Sequence, residues 1–192
     1  MLFITVLISF LFILIHLFDT PSTQLFWISI FVFIFALFAL YILREKNNYQ
    51  HAAYIGNIIL FTAFLAITLL QQGENYTLIW TFFFAPFAIV SLGASRGLIT
   101  SFTFIGIILI LTYTGTGEWQ NGAWDRQSYL RFSIAHMIML YIIFTIQNSN
   151  EKANIKIEEM RRHEKQQLKL FEQLSITDPM TSLYNRRFLK EI

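Results

Sequence analysis

Tyr129-Leu130-Arg131-Phe132-Ser133-Ile134-Ala135-His136-Met137-Ile138-Met139-Leu140-Tyr141-Ile142-Ile143-Phe144-Thr145-Ile146 runs without a break into Gln147-Asn148-Ser149-Asn150-Glu151-Lys152, and this junction decides the fold. The first stretch is apolar over a length close to the roughly 20 residues that an α-helix needs to cross a bilayer. The second is polar, yet nothing in it ends a helix: Gln147 to Leu174 contains neither Gly nor Pro and is rich in Glu, Lys, Gln and Arg, all good helix formers. One helix is therefore predicted to leave the membrane near Gln147 and continue into water.

Working outward from this junction, five further apolar stretches of spanning character precede it. They are Met1 to Phe18, Gln24 to Leu43, Ala52 to Leu70, Thr77 to Leu92 and Leu98 to Thr114. Hydrophobic residues make up 55% of the chain and charged residues 14%, against about 25% charge in a typical soluble domain. The charge is also segregated: residues 1–146 carry five basic and five acidic side chains, residues 147–192 nine and seven. The expected organisation is an all-α integral membrane protein: a six-helix transmembrane bundle (1–146), a cytoplasmic signalling helix or coiled coil (147–176), and a short terminal segment (177–192). The first stretch lacks a basic leading region and is followed by Asp19-Thr20-Pro21-Ser22 rather than a small-x-small site, so it is expected to remain in the mature protein. With no cysteine, disulfides and thiolate ligands are excluded.

Basic residues orient the bundle. Arg44 and Lys46, Arg96 and the Lys/Arg-rich tail fall on alternate connections and so on one side, the cytoplasmic one by the positive-inside rule. Both termini are then cytoplasmic in a multi-pass protein, and the longest outer connection is the fifth, Gly115 to Ser128. In the polar helix a 3-4 spacing threads Ile146, Asn150, Ala153, Ile157, Met160, Glu164, Gln167, Phe171 and Leu174. A second register threads Ile157, Arg161, Glu164, Leu168, Phe171 and Ser175 about as well. Two nearly equivalent seams suit a parallel homodimer that switches register, and also suit a solvated single helix.

The terminal segment, Thr177-Asp178-Pro179-Met180-Thr181-Ser182-Leu183-Tyr184-Asn185-Arg186-Arg187, has the pattern D-x-(L/M)-T-x-L-x-N-R-R. It resembles the opening of the GGDEF family, the diguanylate cyclases that join two GTP molecules into cyclic di-GMP. The likeness covers about a dozen residues, with Met180 where the family usually has Leu. It implies that Asp178, Thr181, Leu183, Asn185, Arg186 and Arg187 form the motif that opens an α/β cyclase domain, Asp178 pairing with one guanidinium. It also implies that the catalytic residues, GTP and Mg²⁺ belong downstream, that this chain has no catalytic residue of its own, and that the location is a bacterial inner membrane. Read as local structure alone, Asp178 caps an ordinary helix with Pro179 at its first position.

Ionisable and aromatic residues in the outer half of the bundle are the candidate ligand-binding set: His16, Asp19, Trp119, Trp124, Ser133 and His136. Polar groups inside spans are costly and functional by default. Asp19 follows His16 by three residues and Ser133 precedes His136 by three, spacings that put each pair on one helix face. His16 and His136 together are the pair to consider for a b-type haem or a metal ion; the alternative is a lone intramembrane His hydrogen-bonded across a helix interface. Trp119 and Trp124 fit either a lid over a pocket or an interfacial belt. Pro86 is the candidate hinge, because it frees the carbonyl of Phe82, and Phe82, Phe83, Phe84 and Phe87 around it fit a lipid-like pocket or plain lipid-facing bulk. Asn57 is a candidate interhelical hydrogen-bonder, and Ser91, Ser95, Thr100, Ser101 and Thr103 flank a tight turn suited to close packing. His51 and His163 fall in water-accessible segments.

Three function classes follow: a membrane sensor and transmitter governing a diguanylate cyclase, an intramembrane haem or metal redox protein using His16 and His136, and a transporter or channel. The expected partners are membrane lipid, a second copy of the chain and a small-molecule or lipid-like stimulus. A net charge of +2 is too small to suggest nucleic-acid binding.

Overall fold

The computed structural model describes residues 2–18, 23–46 and 48–176. Among them every element is helical and no strand occurs. The elements are α1 (Leu2–Phe18), α2 (Thr23–Lys46), α3 (Tyr49–Gln71), a 3-10 helix (Glu74–Phe83), α4 (Phe84–Leu92), α5 (Ala94–Thr114), a 3-10 turn (Trp119–Gly122) and α6 (Arg126–Ile176). Four helical stretches are long and apolar enough to cross a membrane: Gln24–Arg44, Tyr49–Gln71, Ala94–Thr114 and Arg126–Phe171. Two shorter apolar stretches, Phe3–Ile15 and Tyr76–Leu92, accompany them.

The exterior of these helices is apolar too. Ile58, Ile99, Phe102, Ile110, Ile134 and Ile138 are all more than half exposed. In water such a surface would be an aggregation liability; in a hydrocarbon solvent it is the expected one, so the chain has the surface of a membrane protein. The chain divides into two compact units, Met1–Gln147 and Asn148–Ile192. In the described part of the second, Ile155, Ile157, Met160, Leu168, Leu170 and Phe171 are exposed on a helix that is otherwise polar.

The stretch expected as a fourth regular span is instead two kinds of helix in series. A 3-10 segment ends at Phe83 and α4 begins at Phe84. Pro86 sits in the first turn of α4, where a missing N–H costs no α-helical hydrogen bond, so the helix type changes just upstream of the proline. Because a 3-10 helix rises about 2.0 Å per residue rather than 1.5 Å, the apolar stretch is longer than its residue count suggests.

The first unit has one main core. Phe84, Phe104, Ile89, Ile105 and Ile108 are buried to within about one per cent, with the rings of Phe84 and Phe104 4.1 Å apart and tilted by 33°, and Phe61 edge-on to both. A smaller cluster, Val32 with Ile59 and Ala63, joins α2 to α3. α4 and α5 turn about the single residue Gly93, whose φ of 85° is the left-handed region that favours glycine. The two helices then pack backbone to backbone at Gly97, where a Cβ would lie 2.3 Å from Ile89 Cα. Of the small residues expected to permit this contact, Ser101 is buried, Ser95 is exposed, and Thr100 and Thr103 donate to carbonyls of their own helix.

Candidate functional site

His136 is the most deeply buried titratable side chain among the described residues, at 2% exposure. It faces the 3-10 helix from α6. Its Nδ1 lies 3.1 Å from the carbonyl of Phe132, which can only accept, so Nδ1 carries the proton and donates. Its Nε2 lies 3.1 Å from Thr81 Oγ1. The Thr81 hydroxyl is also 2.6 Å from the carbonyl of Leu78, so its one proton serves either His136 or its own helix. The imidazole packs against Phe82 at 3.8 Å and Phe132 at 4.2 Å between ring centroids. Phe132 in turn meets Phe82 at 5.5 Å and Trp124 at 5.5 Å, both edge-on.

The fifth connection closes the bundle above this cluster. The Trp124 indole N–H donates to the carbonyl of Thr112 over 2.9 Å, and the Gly117 amide donates back to the Trp124 carbonyl over 2.7 Å. The Trp119 indole occupies the space beside Gly115, where a Cβ would fall 2.2 Å from the ring. Gln120, held at φ 54°, donates to the carbonyl of Gly73 and so ties this loop to the connection before the 3-10 helix. Both tryptophans are thus turned into the protein, at 9% and 7% exposure, rather than standing outward as a belt.

The three consecutive phenylalanines have three different surroundings. A 3-10 helix advances about 120° per residue, so Phe82 reaches His136 on α6, Phe83 points to a cavity beside α1, and Phe84 enters the core. The cavity, about 320 Å³, lies among α1, α2, α3, the 3-10 helix and α4, and Pro86 and Phe87 form part of its wall. The lipid-like pocket expected around Pro86 therefore uses Phe83 and Phe87 but not Phe82 or Phe84.

Of the six expected ligand residues, the structure brings Trp124 and His136 together through Phe132. Ser133, expected to orient His136, donates instead to the carbonyl of Tyr129; Phe132 and Thr81 orient the ring. Asp19, the side chain of His16 and the motif at 178–187 lie outside the described residues. With both nitrogens of His136 occupied, a metal or haem iron at Nε2 would have to displace Thr81. Among the described residues no group of three or more His, Cys, Asp or Glu side chains is placed to hold a metal ion. Sequence reading missed Thr81 and Phe82 as the partners of His136, since no local pattern links residues 55 positions apart.

Asn57 does reach between helices: its amide donates to Ser91 Oγ over 2.8 Å and to the carbonyl of Ala53 over 2.8 Å. Its own carbonyl oxygen is buried with no partner among the described residues. Interhelical hydrogen bonds in membranes average about 0.6 kcal/mol, while an unsatisfied buried acceptor costs about 1–3 kcal/mol. Asn57→Leu is therefore expected to change stability by less than about 1 kcal/mol, read as thermal unfolding in detergent; a large loss would mean that the amide does more than tie two helices.

Asp125 begins α6, accepting from the Ser128 amide over 2.7 Å while its own carbonyl accepts from Tyr129. The hydrogen bond from the Ser128 backbone, then that from its side chain, holds the carboxylate below its usual range, with Arg131 adding to the effect. A depressed carboxylate favours the folded helix start above its unfolded pKa and loses that contribution as pH falls through the folded value. The protection of the Ser128 amide, its exchange measured against the intrinsic rate at each pH, is expected to fall as the solution is taken below the usual carboxylate range, and Asp125→Asn is expected to remove that pH dependence.

Compared with known proteins, the chain matches no family model, no curated protein and no solved structure.

Proposed function

We propose that this chain is the membrane sensory and transmitter module of a dimeric diguanylate cyclase and sets cyclic di-GMP synthesis by the full-length protein. The observation that carries the reading is the spacing of Asp178, Thr181, Leu183, Asn185, Arg186 and Arg187, which resembles the opening of a GGDEF domain. In this reading six spans cross the bacterial inner membrane, both termini are cytoplasmic, and GTP and Mg²⁺ bind only in the domain that follows.

Two features of the helices support the transmitter role. α6 runs from Arg126 to Ile176 as one helix, so displacement at its apolar start can be passed along its length. The exposed Ile157, Met160, Leu168 and Phe171 fall on the two seams read from the sequence, and a second copy of the chain would cover them. The 3-10 helix supports the sensory role. One of its faces borders the cavity through Thr77, Trp80 and Phe83, and another grips α6 through Thr81 and Phe82. Anything that repositions the first face biases the second, provided it binds the two arrangements with different free energies.

The test is GTP turnover by membranes from cells expressing the full reading frame. Formation of cyclic di-GMP in the presence of Mg²⁺ is expected; a reading frame that encodes no cyclase, or membranes that make no cyclic di-GMP, would overturn the proposal.

A further inference from the structure

We propose that the cavity among α1, α2, α3, the first 3-10 helix and α4 is a binding site for a single hydrocarbon chain, the acyl tail of a membrane amphiphile. Among the described residues no charged side chain lines it. Three of the hydroxyls in its wall are committed elsewhere: Ser9 donates to the carbonyls of Thr5 and Val6, Ser29 to that of Leu25, and Thr77 to that of Glu74. Such a wall offers water too few partners to hold it, and apolar cavities of this kind stay dry or take apolar guests. One water molecule takes up roughly 30 Å³ of the liquid and a methylene group is of similar size, so 320 Å³ accommodates on the order of ten carbons of a chain.

The way in is also apolar. Ile4, Ile8 and Phe83 line the cavity and are at the same time 52%, 42% and 54% exposed, so it opens sideways onto the surface that faces hydrocarbon. Its back wall is closed: Ser9, Ala63 and Thr77 are each no more than 6% exposed. The edge-on pair Phe12 and Trp80, 4.9 Å apart, joins α1 to the 3-10 helix at the cavity wall. A guest entering from the bilayer therefore meets residues that lipid packed around the bundle does not reach. The site stands whether or not the chain governs a cyclase.

The experiment is photolabelling of the full chain in phosphatidylethanolamine/phosphatidylglycerol nanodiscs, with the adducts placed by peptide mass spectrometry. One arm uses a phospholipid with a diazirine on its acyl chain and the other a free fatty acid with the same diazirine. Saturable labelling at Ser9, Ala63 or Thr77 is expected, reduced at least fivefold in Ala63→Phe and Ser29→Phe, which fill the cavity from two different walls. Either variant suffices, provided it elutes as the wild type does in size exclusion. The arm that labels names the source: phospholipid tail, free fatty acid, or both. Labels confined to outward positions such as Ile99 and Ile110, or back-wall labelling that survives in a folded variant, would overturn the site.

Discussion

Gly97→Ala is expected to destabilise the bundle by about 3 kcal/mol, whereas Gly106→Ala, nine residues along the same helix, is expected to be neutral or to stabilise it. The added methyl at Gly97 would lie 2.3 Å from Ile89 Cα, 2.6 Å from the Ala88 carbonyl oxygen and 2.8 Å from Ile89 N. All three are backbone atoms, so no rotamer change relieves the clash and α4 must move off α5. Overpacking a well-packed core costs about 1–3 kcal/mol, and a collision with rigid backbone belongs at the upper end. Ala88 and Ile89 are themselves fully buried, so the displacement also opens the packing around Phe84 and Phe104. At Gly106 nothing lies within 4 Å of the added carbon, and the substitution gains the roughly 0.5–1 kcal/mol by which Ala exceeds Gly in a helix interior. Thermal unfolding of the two variants in one detergent makes the comparison, and equal midpoints would contradict the backbone contact between α4 and α5.

His136→Ala is expected to cost about 3 kcal/mol, and His136→Phe no more than about 1 kcal/mol. The ring is enclosed by Phe82 and Phe132 at 3.8 and 4.2 Å, so removing it leaves a hole of aromatic size, and losses of this kind in packed cores run to about 3–5 kcal/mol. Its polar bonds weigh less. A hydrogen bond between membrane helices is worth about 0.6 kcal/mol, and when Nε2 is gone the Thr81 hydroxyl still has the Leu78 carbonyl at 2.6 Å. Phenylalanine thus keeps the stack and leaves no orphaned donor. Under the proposed function the two variants separate stability from signalling: His136→Phe folds but lacks the Thr81 link between the 3-10 helix and α6, so cyclic di-GMP output by the full-length protein is expected to shift while the unfolding temperature moves little. A stability loss in His136→Phe as large as in His136→Ala would show that the hydrogen bonds, not the ring packing, hold this junction.

Much of the helical architecture was legible because apolar runs bounded by polar or glycine-rich connections leave few alternatives. The run without Gly or Pro after Ile146 led to a single long helix, and α6 has that form. What could not be read was helix type and facing. Thr77 to Leu92 carries one proline and a block of aromatics, and nothing in that composition distinguishes a regular α-helix from a 3-10 segment joined to a short α-helix. The difference decides the environments of Phe82, Phe83 and Phe84, since at three residues per turn adjacent side chains diverge in three directions. Hydropathy also could not tell that Trp119 and Trp124 face inward, because an interfacial tryptophan and a buried one have the same composition; the space left by Gly115 and the Thr112 carbonyl make the choice. The partner of His136 came from another helix, and Gly97, where the two backbones meet, was hidden among serines and threonines.

Under the proposed function α6 carries a register from the bilayer to a paired output domain. Inserting residues after Asn154 tests it most directly, with cyclic di-GMP measured in cells expressing the full-length protein. A seven-residue insertion restores the heptad phase and is expected to leave output near the wild-type level, whereas insertions of three and four residues rotate the seam and are expected to change it strongly and in different ways. Equal output from all three insertions, or the same loss from all three, would contradict a phase-dependent relay along α6.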